Sequence, residues 1–153
     1  MAFVLAFTLA SPQPANAAPV RYKVIDKTSK LNVTGPVFAT CRITTTGGGC
    51  DIARGKSVDR TIGLDLGASR SVISAGLSIS SAQEVKTTVS CQSPKLRAGQ
   101  TWRARAVGTR HSYRVQKQVS YKPRVGRTRW RTQATSSKLT AFDPKPNSIS
   151  CGL

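Results

Sequence analysis

Between residues 85 and 142 the chain carries fourteen Lys or Arg and no Asp or Glu, within a protein of formal net charge +18. Nine of the fourteen are Arg. A guanidinium presents two parallel donors to a phosphate, sulfate or carboxylate, which an ammonium cannot. The chemistry these residues support is the gripping of anions, and the candidate binding residues are Arg103, Arg105, Arg110, Arg114, Arg124, Arg127, Arg129 and Arg131. Bond-making chemistry is poorly supplied. The single histidine, His111, stands in Gly-Thr-Arg-His-Ser at the expected start of a strand, whereas a serine triad needs it beside a carboxylate and an activated serine. Of the six acids, Asp51, Asp59, Asp65 and Glu84 are scattered through the front half, which does not suggest the paired carboxylates of a glycosidase. No catalytic residue and no cofactor are assigned, and His111 is read as a strand-edge residue sharing the basic surface.

Two short matches carry no function. Gly55-Lys56-Ser57 looks like the end of a phosphate-binding loop, but the glycine required five residues earlier is Cys50. Asn32-Val33-Thr34 is a glycosylation sequon only in a eukaryotic secretory pathway. A metal site is not expected, because there is no Cys-x-x-Cys spacing and only one histidine.

The first twenty residues are uncharged, with an apolar run from Met1 to Ala10 and small residues flanking Asn16 in Ala15-Asn16-Ala17. That pattern predicts a secretory signal peptide over residues 1–17 and a mature domain over 18–153. The positive segment that usually opens such a peptide is missing, so the true start codon is expected upstream. The run is too short to span a bilayer. Export explains the even cysteine count, since Cys41, Cys50, Cys91 and Cys151 can then form two disulfides. Three pairings exist. The glycines at 47–49 let the chain reverse between Cys41 and Cys50, which favours that local staple and leaves Cys91 with Cys151.

These residues need elements to position them, and the pattern is that of strands. Apolar and polar residues alternate at period two in Ile62, Leu64, Leu66, then Ile73, Ala75, Leu77, Ile79, then Val85, Thr87, Val89. Further strands are expected around Tyr22–Ile25, Val37–Ile43, Trp102–Val107, His111–Tyr121, Arg127–Ala134 and Lys138–Phe142, broken at Gly35-Pro36, Gly67, Gly99, Gly108 and Lys122-Pro123. Helical periodicity is hard to find. The expectation is a single all-β domain, a disulfide-stabilised antiparallel sandwich or barrel of about eight strands, with Pro144 and Pro146 in an extended surface tail.

Residues two apart on a strand share a face. Arg127, Arg129 and Arg131 should therefore oppose Trp130, and Arg103 and Arg105 should oppose Trp102, Ala104 and Ala106, with the indoles in the core. Tyr113, Val115, Val119 and Tyr121 make the next buried set, with Arg114 outside. Neighbouring strands would then tile one sheet face with arginine. Like charges across strands oppose folding, and a bound polyanion would relieve them. For an exported chain the expected partners are an acidic protein in a secreted assembly, then an anionic surface polymer or membrane. Nucleic acid ranks below these, because export argues against it and the indoles are placed away from the arginines.

Between Thr61 and Ser90 the outward positions are mostly Gly, Ser and Thr, among them Gly63, Ser74, Gly76, Ser78, Ser80, Thr88 and Ser90. Read as two strands, residues 61–90 resemble the amphipathic insertion hairpin of β-pore-forming toxins, and also a docking edge for a partner strand. The stretch from Ala98 to Tyr113, preceded by Thr87-Thr88-Val89-Ser90-Cys91, resembles small secreted β-rich proteins of actinobacteria, some of them suspected accessory subunits of secreted antibacterial toxins. The resemblance covers about half of the mature chain and carries no functional residue. It implies a secreted, non-enzymatic protein and points towards antagonism between bacteria.

Overall fold

The structure, a computed structural model, describes residues 17–153, so the expected signal peptide lies outside the described residues except for Ala17. The described residues are 58% strand and 6% helix, which makes the fold all-β, and both expected disulfides are formed, Cys41–Cys50 and Cys91–Cys151. Among the described residues nine strands are present: β1 (Val20–Arg42), β2 (Asp51–Ile52), β3 (Ser57–Asp59), β4 (Thr61–Ile62), β5 (Glu84–Lys86), β6 (Cys91–Gln92), β7 (Thr101–Tyr121), β8 (Arg129–Thr135) and β9 (Leu139–Gly152). A helix, α1 (Arg70–Leu77), lies between β4 and β5. The main sheet is open and antiparallel, in the order β1-β7-β9-β4, with β8 pairing the far end of β7. Two small ladders, β2-β6 and β3-β5, stand apart from it.

The long strands replace pairs of shorter expected ones. Gly35-Pro36 does not break β1, because β1 is an edge strand in which a missing N–H costs little. It absorbs the irregularity in bulges, and Asp26 and Asn32 adopt positive φ there (52° and 53°). Nor is Gly108 a turn. It lies mid-strand in β7 opposite Pro144, where a Cβ would meet the Asp143 carbonyl and come 2.8 Å from Pro144 Cα. Its missing side chain lets the β9 backbone close in. Gly108→Ala is expected to destabilise by about 2 kcal/mol in urea unfolding, against less than about 0.5 kcal/mol for Gly152→Ala, which meets nothing within 4 Å. Pro144, expected in a surface tail, is buried within β9.

The period-two reading of Ile73, Ala75, Leu77 and Ile79 is corrected by α1. Ser69 caps its N-terminus by accepting from the Val72 N–H, and Ser78 ends it in the left-handed region, with Ile79 N–H closing back on Ser74 O (3.0 Å). Ile73 and Leu77 are four apart and share the buried face, while Ala75 is exposed. Ser74 is buried and donates to Arg70 O, and Gly76 lies so close to Val24 that a Cβ would collide. Residues 61–90 therefore run strand, helix, strand. The two-stranded insertion hairpin and the hydroxyl-rich docking edge both lose their structural basis.

β7 rises about 3.3 Å per residue, so its 21 residues span roughly 65–70 Å. That is more than one small core can cover. Each register shift along β7 puts its extra residues in the partner strand, so β7 itself keeps strict alternation. In its first half Ala104 and Ala106 are buried, and in its second half Tyr113 and Val115, which belong to the opposite face. The first face, here the loop face, packs Trp102, Ala104 and Ala106 against Leu96, Ala53, Cys91, Val58 and Phe38 of the disulfide-bonded loops and the β1 bulge. The other, the helix face, packs Tyr113 and Val115 against Ile73, Leu77 and Ala68 of α1 and its approach. Tyr113 also donates its hydroxyl to Gly63 O (2.6 Å), and burial raises its phenol above the ordinary value. The core changes sides halfway along the central strand, leaving two diagonal quarters of the sheet uncovered.

Candidate functional site: a basic quarter of the loop face

Beyond the disulfide-bonded loops, the loop face of β7 continues with Arg110, Ser112, Arg114, Gln116, Gln118 and Ser120. β1 supplies the directly opposed positions: Lys30 faces Arg110, Thr28 faces Ser112, Ile25 faces Arg114, Lys23 faces Gln116 and Arg21 faces Gln118. On the other side, Thr140 of β9 faces Ser112 and Trp130 of β8 faces Ser120. Arg21, Lys23, Lys30, Arg110 and Arg114 are all exposed. Lys30 and Arg110 are like charges directly across a ladder, an arrangement that disfavours folding. The nearest acid in sequence, Asp26, sits at a β1 bulge and is paired with no β7 residue. The only ion pair between side chains among the described residues is Arg60–Asp143, on the other face.

One corner of this face is organised in detail. The Arg21 guanidinium lies 4.3 Å from the centroid of a Trp130 ring, and its Nε donates to Gln118 Oε1 at 2.8 Å. Gln118 Nε2 in turn reaches Gln116 Oε1 at 3.4 Å. At the other end, an open recess of about 510 Å³ is lined by Arg110, Thr61, Thr140 and the ring of Phe142, which lies directly beneath Gly35.

Only Arg110 and Arg114 of the eight arginines expected at the site lie here. Arg103 and Arg105 project from the helix face at the uncovered first half of β7, where Arg42 faces Thr101. Arg129 and Arg131 face Tyr121 and Val119, also on the helix side, with Arg131 5.9 Å from the Tyr121 ring centroid. Arg124 and Arg127 are exposed in the β7–β8 connection. The single arginine-tiled face is thus divided, because the covering elements change sides. Arg21, Lys23 and Lys30 complete this quarter and lie outside the basic block of residues 85–142. Their signal was the alternation of Arg21 and Lys23 with Tyr22 and Val24 in a segment already read as a strand.

One of the two indoles also departs from expectation. Trp102 is half-buried against the loop-side clusters, but Trp130 belongs to none of the cores and lies under Arg21 on the basic face. Sequence alternation placed Trp130 correctly opposite Arg129 and Arg131, yet that opposite side is itself basic. His111 is not at an edge. It sits on the helix face of the central strand, with Nδ1 2.9 Å from Ser29 Oγ and Nε2 buried without a hydrogen-bond partner. Asp59 and Glu84, distant in sequence, face one another across β3 and β5, both exposed.

Among the described residues no group of three or more His, Cys, Asp or Glu could hold a metal ion, and no helix is long and apolar enough to cross a membrane. Two disulfides suit an extracellular or otherwise oxidising environment. No protein-family model matches this chain, and no curated protein or solved structure matches it.

Proposed function

We propose that the chain is a secreted, non-enzymatic adaptor that docks an acidic protein partner on the basic quarter of its loop face. The observation that carries this reading is the Lys30–Arg110 cross-strand pair, flanked by Arg21, Lys23 and Arg114 with no acid in register to neutralise them. A folded chain keeps such repulsion at a cost, and a partner's carboxylates would relieve it. The surface chemistry supports a protein partner, since arginine and tryptophan are the residues that dominate protein interfaces, here set among Ser, Thr and Gln that can supply polar contacts. In a secreted assembly such a surface would join the chain to a larger acidic subunit.

Immobilised poly-L-glutamate tests this reading. About 0.5 kcal/mol from each of five exposed ion pairs amounts to roughly 2.5 kcal/mol, close to a hundredfold in Kd. The quintuple variant with Arg21, Lys23, Lys30, Arg110 and Arg114 changed to Gln is expected to lose about that much affinity. An equal charge change elsewhere, with Lys86, Lys95, Arg97, Lys122 and Lys145 as Gln, is expected to cost less than about tenfold, because it acts only through the screened long-range field. Equal losses in the two variants would mean that net charge alone drives binding and that the face is no site.

A further inference from the structure

We infer that Arg21 is the specificity anchor of this face, a guanidinium fixed in place to receive one carboxylate of the acidic partner through both of its terminal nitrogens. The inference rests on the docking function proposed above and adds to it a named residue and a geometry.

The other four basic side chains of the quarter make no hydrogen bond and stack on no ring among the described residues, whereas Arg21 is held twice. Its plane is set by the Trp130 indole at 4.3 Å, and its rotation within that plane by the 2.8 Å bond from Nε to Gln118. Gln118 is oriented in its own right by Gln116. These restraints consume Nε and leave the Nη1 and Nη2 edge, which makes no hydrogen bond among the described residues. That edge is a pair of parallel donors, and its complement is a planar group with two oxygens side by side. A side chain as long as arginine ordinarily loses considerable rotamer freedom when it binds. Here the stacking and the glutamine have ordered it beforehand, so a ligand gains the two hydrogen bonds at a lower ordering cost.

The position of Arg21 suits an acidic protein segment. It is near the start of β1, an edge strand, and Lys23 follows two residues on, on the same face and roughly 6.6 Å away by strand rise. A carboxylate in the Arg21 fork would leave the next acidic side chain of an extended segment within reach of Lys23. Lysine serves there as a point charge that accepts many geometries, while the arginine admits one. Affinity then comes from the whole quarter, and selection of carboxylate comes from one residue.

Arg21→Lys keeps the charge and removes the fork, and this separates the anchor from general attraction. Binding of poly-L-glutamate is measured by calorimetry at moderate salt for the intact chain and for Arg21→Lys, Arg21→Gln, Gln118→Leu and Arg97→Lys, each checked for an unchanged melting transition. Arg21→Lys is expected to weaken binding about fivefold, and Arg21→Gln, which removes the charge as well as the fork, about tenfold. Gln118→Leu, which frees the guanidinium to rotate, is expected to weaken it about threefold. Arg97→Lys, an exposed arginine remote from the face, is expected to stay within about twofold. Arg21→Lys binding within twofold of the unchanged chain would overturn the anchor. If that happened while the quintuple Gln variant still lost its affinity, the docking face would stand without its anchor. If neither variant lost affinity, or if poly-L-glutamate did not bind, both proposals would fall. Polyphosphate bound more tightly than poly-L-glutamate, with the same dependence on Arg21, would overturn the carboxylate assignment in favour of a phosphate-bearing ligand.

Discussion

Asp143→Ala is expected to lower the unfolding free energy by about 3 kcal/mol, the low end of the cost of stranding one partner of a buried ion pair. Arg60 is only 7% exposed, and its Nε donates to Asp143 Oδ1 at 2.6 Å. Its Nη1 donates to Ala82 O, and its backbone N–H to Gln83 O. Arg70, at the start of α1, donates to Arg60 O and to Ser81 O. The two arginines thus tie the helix, the 81–83 connection and β4 to β9, and Asp143 is the one carboxylate that compensates the buried charge. Its side chain is 27% exposed, so water can reach the space an alanine would leave, which is why the low end applies. Replacing both partners at once, Arg60→Met with Asp143→Leu, should cost less than Asp143→Ala alone, since no charge is then left buried. Urea unfolding of the three chains checks this. A loss below about 1 kcal/mol for Asp143→Ala would mean that Arg60 is hydrated and that its carbonyl contacts suffice.

Local pattern in the sequence encodes the strands of this fold and leaves the covering of their faces open. Period-two alternation was legible in Tyr22–Ile25, in Trp102–Val107 and in His111–Tyr121, and all three segments are strands. The disulfide pairing was legible too, because glycines beside Cys50 make a short reversal easy. The burial of each face was not. Alternation says that Arg103 opposes Ala104 and that Arg114 opposes Tyr113, but both faces of a strand remain candidates until something packs on one. In β7 the loops choose one face and α1 the other, so arginines that look equivalent in the sequence end on opposite sides of the sheet. The helix itself was hidden because Ile73, Ala75, Leu77 and Ile79 satisfy a period of two, while only Ile73 and Leu77 carry the helical contact. The cue available was Ser69 three residues before Val72, a capping position that hydroxyl-rich surroundings disguise. Long-range pairings such as Arg60 with Asp143, or Lys30 with Arg110, depend on register across distant segments, and local pattern does not encode that.

Removing the Cys91–Cys151 disulfide should cost more than removing Cys41–Cys50, although both lie against the same loop-side core. The first closes a loop of 60 residues and the second one of 9. In the chain-entropy model these correspond to about 4 and about 2.5 kcal/mol. The larger bridge also has a local task. Cys91 is 1% exposed and packs beside Ala104, and Cys151, opposite Ala104 in the ladder, is its only covalent link to the end of β9. From Lys145 to Ser148 β9 has no β7 partner, since the register passes directly from Pro144 to Ile149. Without the bridge, the last residues of β9 depend on the short pairing at 149–152 alone. Cys91→Ala with Cys151→Ala is therefore expected to release that end first, seen as faster amide exchange at Ile149–Gly152, and to lower global stability by about 4 kcal/mol. The Cys41→Ala, Cys50→Ala chain should keep β9 protected and lose about 2.5 kcal/mol. Should the shorter loop prove the costlier to open, unfolded-chain entropy would not be the source of the stabilisation, and packing of Cys50 against Ile43 and Leu96 would be the term to examine. The basic quarter depends little on this result, because its strands pair through β1, β8 and the second half of β7. The adaptor surface should therefore survive reduction of the distal bridge, so that Arg21-dependent binding persists in the Cys91→Ala, Cys151→Ala chain at temperatures below its lowered melting point.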